Sequence, residues 1–405
     1  MTFISSSKLQ NGIDHAYLIA TDNGALRTIW GMTLVERLLR QLSQIGISRA
    51  TVICDASFDV GDVLRPDFSQ WNDIRVEISV PEREASASLV PVFPGRALIV
   101  DARIVVDSRI LEHLKNTSED TRFDVENRFV GATTYAGYED PAIARIRDTD
   151  VNAYIKTTRK HVTAFAIPVD SGHDVEFAEN TTFAAAYKGA TDFITKYVFY
   201  LPARWAVRKV SPTGITPNQV TMTSMVISFG AVVPFFTGHY WVATIMGFAM
   251  AFLDTVDGKL ARVTLRTSKS GDLLDHVSDF VYLLLWYVGL GWSLTGGHLF
   301  DFSREAALYH AVLIGAFLAD KIITGLYKRI YGYELHDYTR LDYTVRIFIA
   351  RRNPFLICML IALILGDPMI GLLMITAWYV LTLIFHLMRF VYLPISGEKH
   401  QYESS

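Results

Sequence analysis

Four aspartates at regular spacing, Asp254, Asp257, Asp275 and Asp279, are the residues of this sequence best suited to carry chemistry. Asp254, Asp257, Gly258, Ala261 and Arg262 are separated by three, one, three and one positions, so on a helix they share one face. Gly271, Asp275 and Asp279 recur every four residues and share a face of the next helix. If the two helices pack side by side, four carboxylates converge. Such a group at a membrane boundary needs compensating positive charge, because a buried, uncompensated charge is strongly destabilising. Donors that are all oxygen point to a hard cation, Mg²⁺ or Mn²⁺, and the absence of Cys or a close His pair argues against zinc. His276 points about a quarter turn away from Asp275 and is not expected to be a ligand.

Gly258, Ala261 and Gly271 remove side-chain bulk where a pyrophosphate and a pyrimidine ring would approach the backbone, and Arg262 is suited to pair with phosphate oxygens in bidentate fashion. Singly, the small residues mean little, since in membrane helices they commonly serve close packing.

The whole pattern, D-x2-D-G-x2-A-R-x8-G-x3-D-x3-D, resembles the signature of the CDP-alcohol phosphotransferase family and meets it at all eight specified positions. A chance match is on the order of 10⁻¹⁰ per window at average residue usage. Thr216, Pro217, Asn218 and Thr221 in GITPNQVT resemble that family's entry to its first transmembrane helix, and the likeness covers about residues 185–395. The resemblance implies that Asp254, Asp257 and Asp275 hold two metal ions and the CDP pyrophosphate. Asp279 would share a metal and act as general base on the incoming hydroxyl. Gly258, Ala261, Arg262 and Gly271 would bind CDP, and Thr216, Pro217 and Asn218 would position the helix start. It further implies a homodimer that displaces CMP from a CDP-linked alcohol by a hydroxyl acceptor, at least one of the two being lipidic. Arg266 and Lys269, in the loop between the motif helices, are candidates for an acceptor phosphate.

The elements that must position these residues fall into unlike halves. Residues 1–183 mix charged and apolar residues as an α/β domain does. Ala16–Ala20, Ala50–Cys54, Ile74–Val80, Ala97–Val100, Phe129–Thr134 and Val162–Ile167 read as strands, and Thr33–Ile45 reads as a helix with Leu34, Leu38, Leu42 and Ile45 on one face. Strand, helix, strand in that order predicts a parallel, doubly wound sheet. Residues 184–210 interleave aromatic and basic side chains, as an interfacial helix broken near Pro202 would. Residues 211–395 hold six candidate spans, 219–238, 240–260, 272–296, 305–327, 345–366 and 369–393, and 396–405 form a polar tail. The fifth span is interrupted by Arg351 and Arg352. Asp320 and Lys321 lie inside the fourth, as a structural pair or a functional one. The cluster from Tyr331 to Arg352 is expected at the interface near the mouth of the site.

Cations concentrate in the loops after spans two and four, so the positive-inside rule places both termini and the aspartates on the cytoplasmic side of an integral membrane protein. Met1 to Gly12 lack the features of a signal peptide. A net charge of −3 gives no polybasic surface for nucleic acid, and two cysteines, Cys54 and Cys358, make no disulfide framework.

The N-terminal half resembles the sugar-phosphate nucleotidyltransferase fold in AYLIATDNGALRTIWGMTLVERLLRQLSQIGI and ALIVDARIVVD, where Asp101 is a candidate metal ligand. The phosphate loop keeps Gly24 and Arg27 but lacks a second glycine, and no Pro-Lys pair precedes Gly31 to Leu34, so weak or absent cytidylyltransferase activity is expected. The order of the two parts resembles that of the bifunctional inositol-phosphate cytidylyltransferase and di-inositol-phosphate phosphate synthases. Two rival readings are a catalytically inactive membrane anchor and a metal-ion transporter. Loss of a motif aspartate would favour the first, and carboxylates spread over several spans the second.

Overall fold

The computed structural model describes residues 13–21, 23–54, 63–80, 96–134, 144–155, 158–267 and 269–397, without the side chains of 70, 71, 269–276 and 337. The chain divides into two compact units, 1–155 with 161–185 and 263–265, and 156–160 with 186–262 and 266–405.

In the first unit, short β-branched runs form β1 (His15–Ala20), β2 (Arg49–Cys54), β3 (Arg75–Ser79), β4 (Ala97–Asp101), β5 (Ile104–Val106), β6 (Thr121–Val125), β7 (Arg128–Thr134), β8 (Ala144–Ile146) and β9 (Ala166–Pro168). Seven of them make one sheet in the order β8-β6-β7-β4-β1-β2-β3. Buried on both faces, β1 lies between β4 and β2, with Leu18 opposite both Val100 and Val52. Helix α1 (Leu34–Gln44) is capped by Thr33, whose hydroxyl accepts from the Glu36 amide at 3.1 Å. Its Val35, Leu38, Leu39 and Leu42 enter the core beneath the sheet, each contributing about 1.5–3 kcal/mol by burial.

The expectation of a parallel sheet holds for β4, β1, β2 and β3, and again where β8 pairs with β6. β7 runs antiparallel to both β4 and β6, so the sheet is mixed. The cause is a two-residue turn: Glu126 and Asn127 take φ of 50° and 63°, both in the left-handed region, which reverses the chain into a tight hairpin. Of Val162–Ile167, only Ala166 and Ile167 fall in a strand, and β9 pairs with β5 outside the main sheet.

The second unit is helical. After α2 (Ser108–Asn116) and α3 (Gly172–Ala185) of the first unit come α4 (Tyr200–Val210), α5 (Pro217–Gly230, continued by Val232–Phe236), α6 (Tyr240–Val263), α7 (Lys269–Thr295), α8 (Glu305–Tyr331), α9 (Arg352–Ile364) and α10 (Pro368–Ser396). Among the described residues, four helical stretches are long and apolar enough to cross a membrane: Pro217–Phe236, Val277–Thr295, Glu305–Tyr331 and Pro368–Ser396. Two of the six expected spans differ. α6 is a 24-residue helix whose last turns carry Asp254, Asp257, Lys259 and Arg262, and α9 begins only at Arg352 and has 13 residues. A π-helical turn at Ile194–Val198 precedes α4, and the helical run is interrupted between them at Phe199, three residues before Pro202. Pro202 itself sits in the first turn of α4, where its missing N–H leaves no helical bond unmade.

Trp286 and Tyr287 of α7, Phe317 of α8, Phe355 of α9 and Tyr379 of α10 fill the centre of this unit. The Trp286 indole donates to the Ser228 carbonyl at 2.8 Å, and the Tyr287 hydroxyl donates to that of Tyr379 at 3.1 Å. A Cβ at Gly247 would stand 2.4 Å from Leu356 Cδ2, so the glycine is what lets α6 approach α9. Seven residues on, that face of α6 presents Asp254, and four residues back, that face of α9 presents Arg352.

Candidate active site

Arg352 joins the two motif helices. Its Nη2 donates to Asp254 Oδ2 at 2.6 Å, and its Nη1 lies 2.7 Å from the Tyr282 hydroxyl and 3.3 Å from Asp279 Oδ1. Tyr282, one turn beyond Asp279, donates its hydroxyl to the same Oδ1 at 2.6 Å. Asp257 stands on the same face of α6 as Asp254 and accepts from the Thr221 hydroxyl at 2.7 Å. The Thr221 side chain is placed by the start of α5. There the Thr216 hydroxyl accepts from the Gln219 amide at 3.3 Å, Gln219 Oε1 accepts from the Thr216 amide at 2.9 Å, and Pro217 occupies the first turn. Thr216 and Pro217 thus fix the start of the helix that carries Thr221, whereas Asn218 is exposed.

Asp275, Gly271 and Lys269 belong to the backbone of α7, and their side chains lie outside the described residues. Arg262 folds back over Gly258, where a Cβ would stand 3.1 Å from its Nη2, and its Nε donates to the Ala186 carbonyl at 2.7 Å. Ala261 is half-buried on the same face. Lys259, only 4 % exposed, places its ammonium 3.8 Å from the centre of the Tyr187 ring, a cation–π contact that compensates its burial. Arg266 is 3 % exposed, which is not the setting of a solvated loop cation.

Among the described residues, no three His, Cys, Asp or Glu side chains are grouped closely enough to hold a metal ion. The donor chemistry nonetheless fits a hard divalent cation. The described motif donors are all carboxylate oxygens, and a single cationic group, the guanidinium of Arg352, already stands between Asp254 and Asp279. Asp254, Asp257 and Asp279 are the described residues that would hold the ion.

Arg352 was legible beforehand only as an interruption of an apolar run. Its neighbour Asn353 donates to Asp192 Oδ1 at 2.7 Å, and Thr195 donates to Asp192 through its amide and hydroxyl at 3.0 and 2.8 Å. Burial pushes the Asp192 carboxyl up, but these donors and the Arg352 charge outweigh it and hold it below the usual carboxylate range.

Next to this constellation lies a concentration of positive charge. Arg346 is 8 % exposed and its Nη1 has no hydrogen-bond partner among the described residues. The charges of Arg346, Arg351 and Lys321 all bear on His336, which burial first, and those charges with it, hold well below its ordinary pKa, so it is neutral at pH 7. Of the alternatives open for Asp320 and Lys321, a pair between the two does not form: Asp320 pairs with His386 at 2.5 Å, and Lys321 lies over the Phe317 ring at 5.6 Å.

Glu334 accepts from Arg159 at 2.5 and 2.9 Å and from Lys328 at 3.1 Å. Burial alone would raise its pKa, but Arg159 and Lys328 hold it at about 2. A depressed carboxylate contributes stability that is present above its unfolded pKa and is lost as pH falls through the folded value. Glu334→Gln is therefore expected to lower the melting temperature in detergent at pH 7, by on the order of 1–3 kcal/mol of stability after allowance for partial solvent screening. Melts from pH 7 downward should show the difference from wild type shrinking between about pH 4.5 and pH 2; a gap that does not vary with pH would refute the assignment.

In the first unit, Gly24 lies in a 3₁₀ turn at Asn23–Leu26 and Arg27 donates to the Val169 carbonyl. Asp101 is held by its own neighbour Arg103, through the amide at 2.9 Å and Nη2 at 2.7 Å. Cys54 and Cys358 are buried free thiols.

Residues 214–326 match the model of the CDP-alcohol phosphatidyltransferase family. That match takes in α5, α6 and α7 and most of α8, and with them both helices that carry the motif. Over 303 residues the chain is 24 % identical to the bifunctional IPC transferase and DIPP synthase of Aquifex aeolicus, covering 63 % of this chain and 69 % of the relative. It is 33 % identical over 108 residues to the archaetidylinositol phosphate synthase of Pyrococcus horikoshii, covering 24 % of this chain and 57 % of that protein. Among solved structures, the phosphatidylinositol phosphate synthase of Mycobacterium tuberculosis with CDP-DAG bound aligns at 17 % identity over 48 % of this chain and 93 % of its own, with a TM-score of 0.35.

Proposed function

We propose that this chain is a divalent-cation-dependent CDP-alcohol phosphotransferase that joins a CDP-linked alcohol to a hydroxyl acceptor with release of CMP. The observation that carries this reading is the meeting of Asp254 and Asp279, from successive helices of a phosphatidyltransferase region, at one cationic group. Asp254, Asp257, Asp275 and Asp279 are the ligands of the reading, and Gly258, Ala261, Arg262 and Gly271 line the CDP. Bound there, Mg²⁺ or Mn²⁺ neutralises the pyrophosphate and eases the departure of CMP.

Asp279 is the base. The acceptor hydroxyl attacks the phosphorus that carries the donor alcohol, its proton passes to the Asp279 carboxylate, a new O–P bond forms, and the pyrophosphate bond to CMP breaks. Tyr282 and Arg352 both address Oδ1 of Asp279, which leaves Oδ2 for the proton. The cations at Lys321, Arg346 and Arg351 favour an acceptor that bears phosphate, which fits the inositol phosphate chemistry in the relatives' names. The positive-inside distribution puts the reaction at the cytoplasmic surface. For the first unit, nucleotide binding or docking of a separate cytidylyltransferase is the reading, without catalysis of its own.

The test is CMP release by the purified protein with Mn²⁺ or Mg²⁺, radiolabelled CDP-diacylglycerol or CDP-inositol, and acceptors offered with and without a phosphate. Metal-dependent release from one donor, greatest with a phosphorylated acceptor, is expected. No release from any pair would refute the reading.

A further inference from the structure

Arg352 is a cation held between carboxylates that the proposed function assigns to a metal, and the two roles compete for the same oxygens. Its guanidinium uses Nη2 for Asp254 and Nη1 for Asp279 and the Tyr282 hydroxyl, so one planar group satisfies acceptors on α6 and α7 at once. The side chain is 14 % exposed and Asp254 is 22 % exposed, so neither is a screened surface ion. Its attachment is firm at the backbone: Asn353, the next residue, is tied to Asp192, and Leu356, one turn on, fills the space over Gly247. Three flexible methylenes separate that anchored backbone from the guanidinium, which is thus free to swing while α9 stays in place.

We propose that Arg352 is a built-in counter-cation of the metal site. It pairs with both Asp254 and Asp279 in the metal-free protein, offsets part of their joint charge, preserves their spacing, and must release at least Asp254 when a divalent ion enters. Arg352 is accordingly a positioning residue that sets metal affinity, rather than a group that stabilises the metal-bound state. Asp254 and Asp279, 22 % and 38 % exposed, would repel each other once left without their partner, and a divalent ion would relieve that repulsion. Deleting the guanidinium therefore strengthens metal binding while weakening the metal-free protein. This inference rests on the reading of the aspartates as metal ligands, and the experiment separates the two.

The experiment titrates detergent-purified wild type, Arg352→Met and Arg352→Lys with Mn²⁺ alone, following free Mn²⁺ by electron paramagnetic resonance and the melting temperature with and without the ion. Arg352→Met is expected to bind Mn²⁺ about tenfold more tightly than wild type. It should also melt lower without metal and gain more from Mn²⁺, because a ligand stabilises in proportion to its affinity for the folded state. Arg352→Lys, with one ammonium in place of the two-pronged group, should fall between, and it serves should the Met variant fail to fold. Mn²⁺ binding by the variants that equals or falls below that of wild type would overturn the inference while sparing the function. Absence of Mn²⁺ binding by wild type would overturn both, beginning with the assignment of the aspartates.

Discussion

Asp279→Asn is expected to lower the rate of CMP release by at least about 10³-fold, the loss of a general base combined with weaker holding of the metal. Asparagine keeps the shape of the side chain and still offers a carbonyl oxygen to the Tyr282 hydroxyl, which lies 2.6 Å from Oδ1 in the native protein. The bundle should therefore fold, and a melting curve close to that of wild type would show it. What the variant lacks is a basic oxygen at Oδ2. Rates should not recover as acceptor concentration rises, because the missing step is proton removal. Activity within tenfold of wild type would exclude Asp279 as the base.

The second large effect should appear in acceptor binding. Arg346→Met combined with Lys321→Met is expected to raise KM for a phosphorylated acceptor by about 10²-fold, as removal of two charge-assisted contacts would. An acceptor without phosphate should respond far less, and that difference is the diagnostic. The basis is a buried Arg346 with an Nη1 that has no partner among the described residues, and a Lys321 on which the charges of Arg346, Arg351 and Asp279 all bear. Equal effects on both acceptors would assign these cations to packing of the bundle.

Much of this was legible in the sequence where a single element decides the outcome. β1, β2, β3, β4 and β7 follow from their apolar runs, and α1 from its periodicity and its Thr33 cap. The antiparallel hairpin of β6 with β7 was not legible, because β6 reads TRFDV with two charges, and its turn is Glu126-Asn127 rather than a glycine-bearing pair. Along α6 and α7 the motif spacing locates the aspartates, but a spacing rule within helices says nothing of a partner about 70 to 100 residues away. Arg352 was hidden for that reason. Read as a defect in a hydrophobic span, it is the residue that meets both motif helices, and the usable signal was the cost of placing an arginine at the head of an apolar helix without a reason. Tyr282 was concealed similarly, as one more aromatic in a membrane helix, although its position three residues after Asp279 put it on the same face.

The bond from Thr221 to Asp257 also bears on ion selectivity. With the Thr221 hydroxyl donating to Oδ2 at 2.7 Å, Asp257 as a proposed ligand would favour one-oxygen binding through Oδ1. Calcium favours crowded shells in which carboxylates bind through both oxygens, while magnesium and manganese accept six-fold shells of single oxygens. On the proposed reading, a threonine outside the ion's shell would bias denticity, and with it favour the smaller cations.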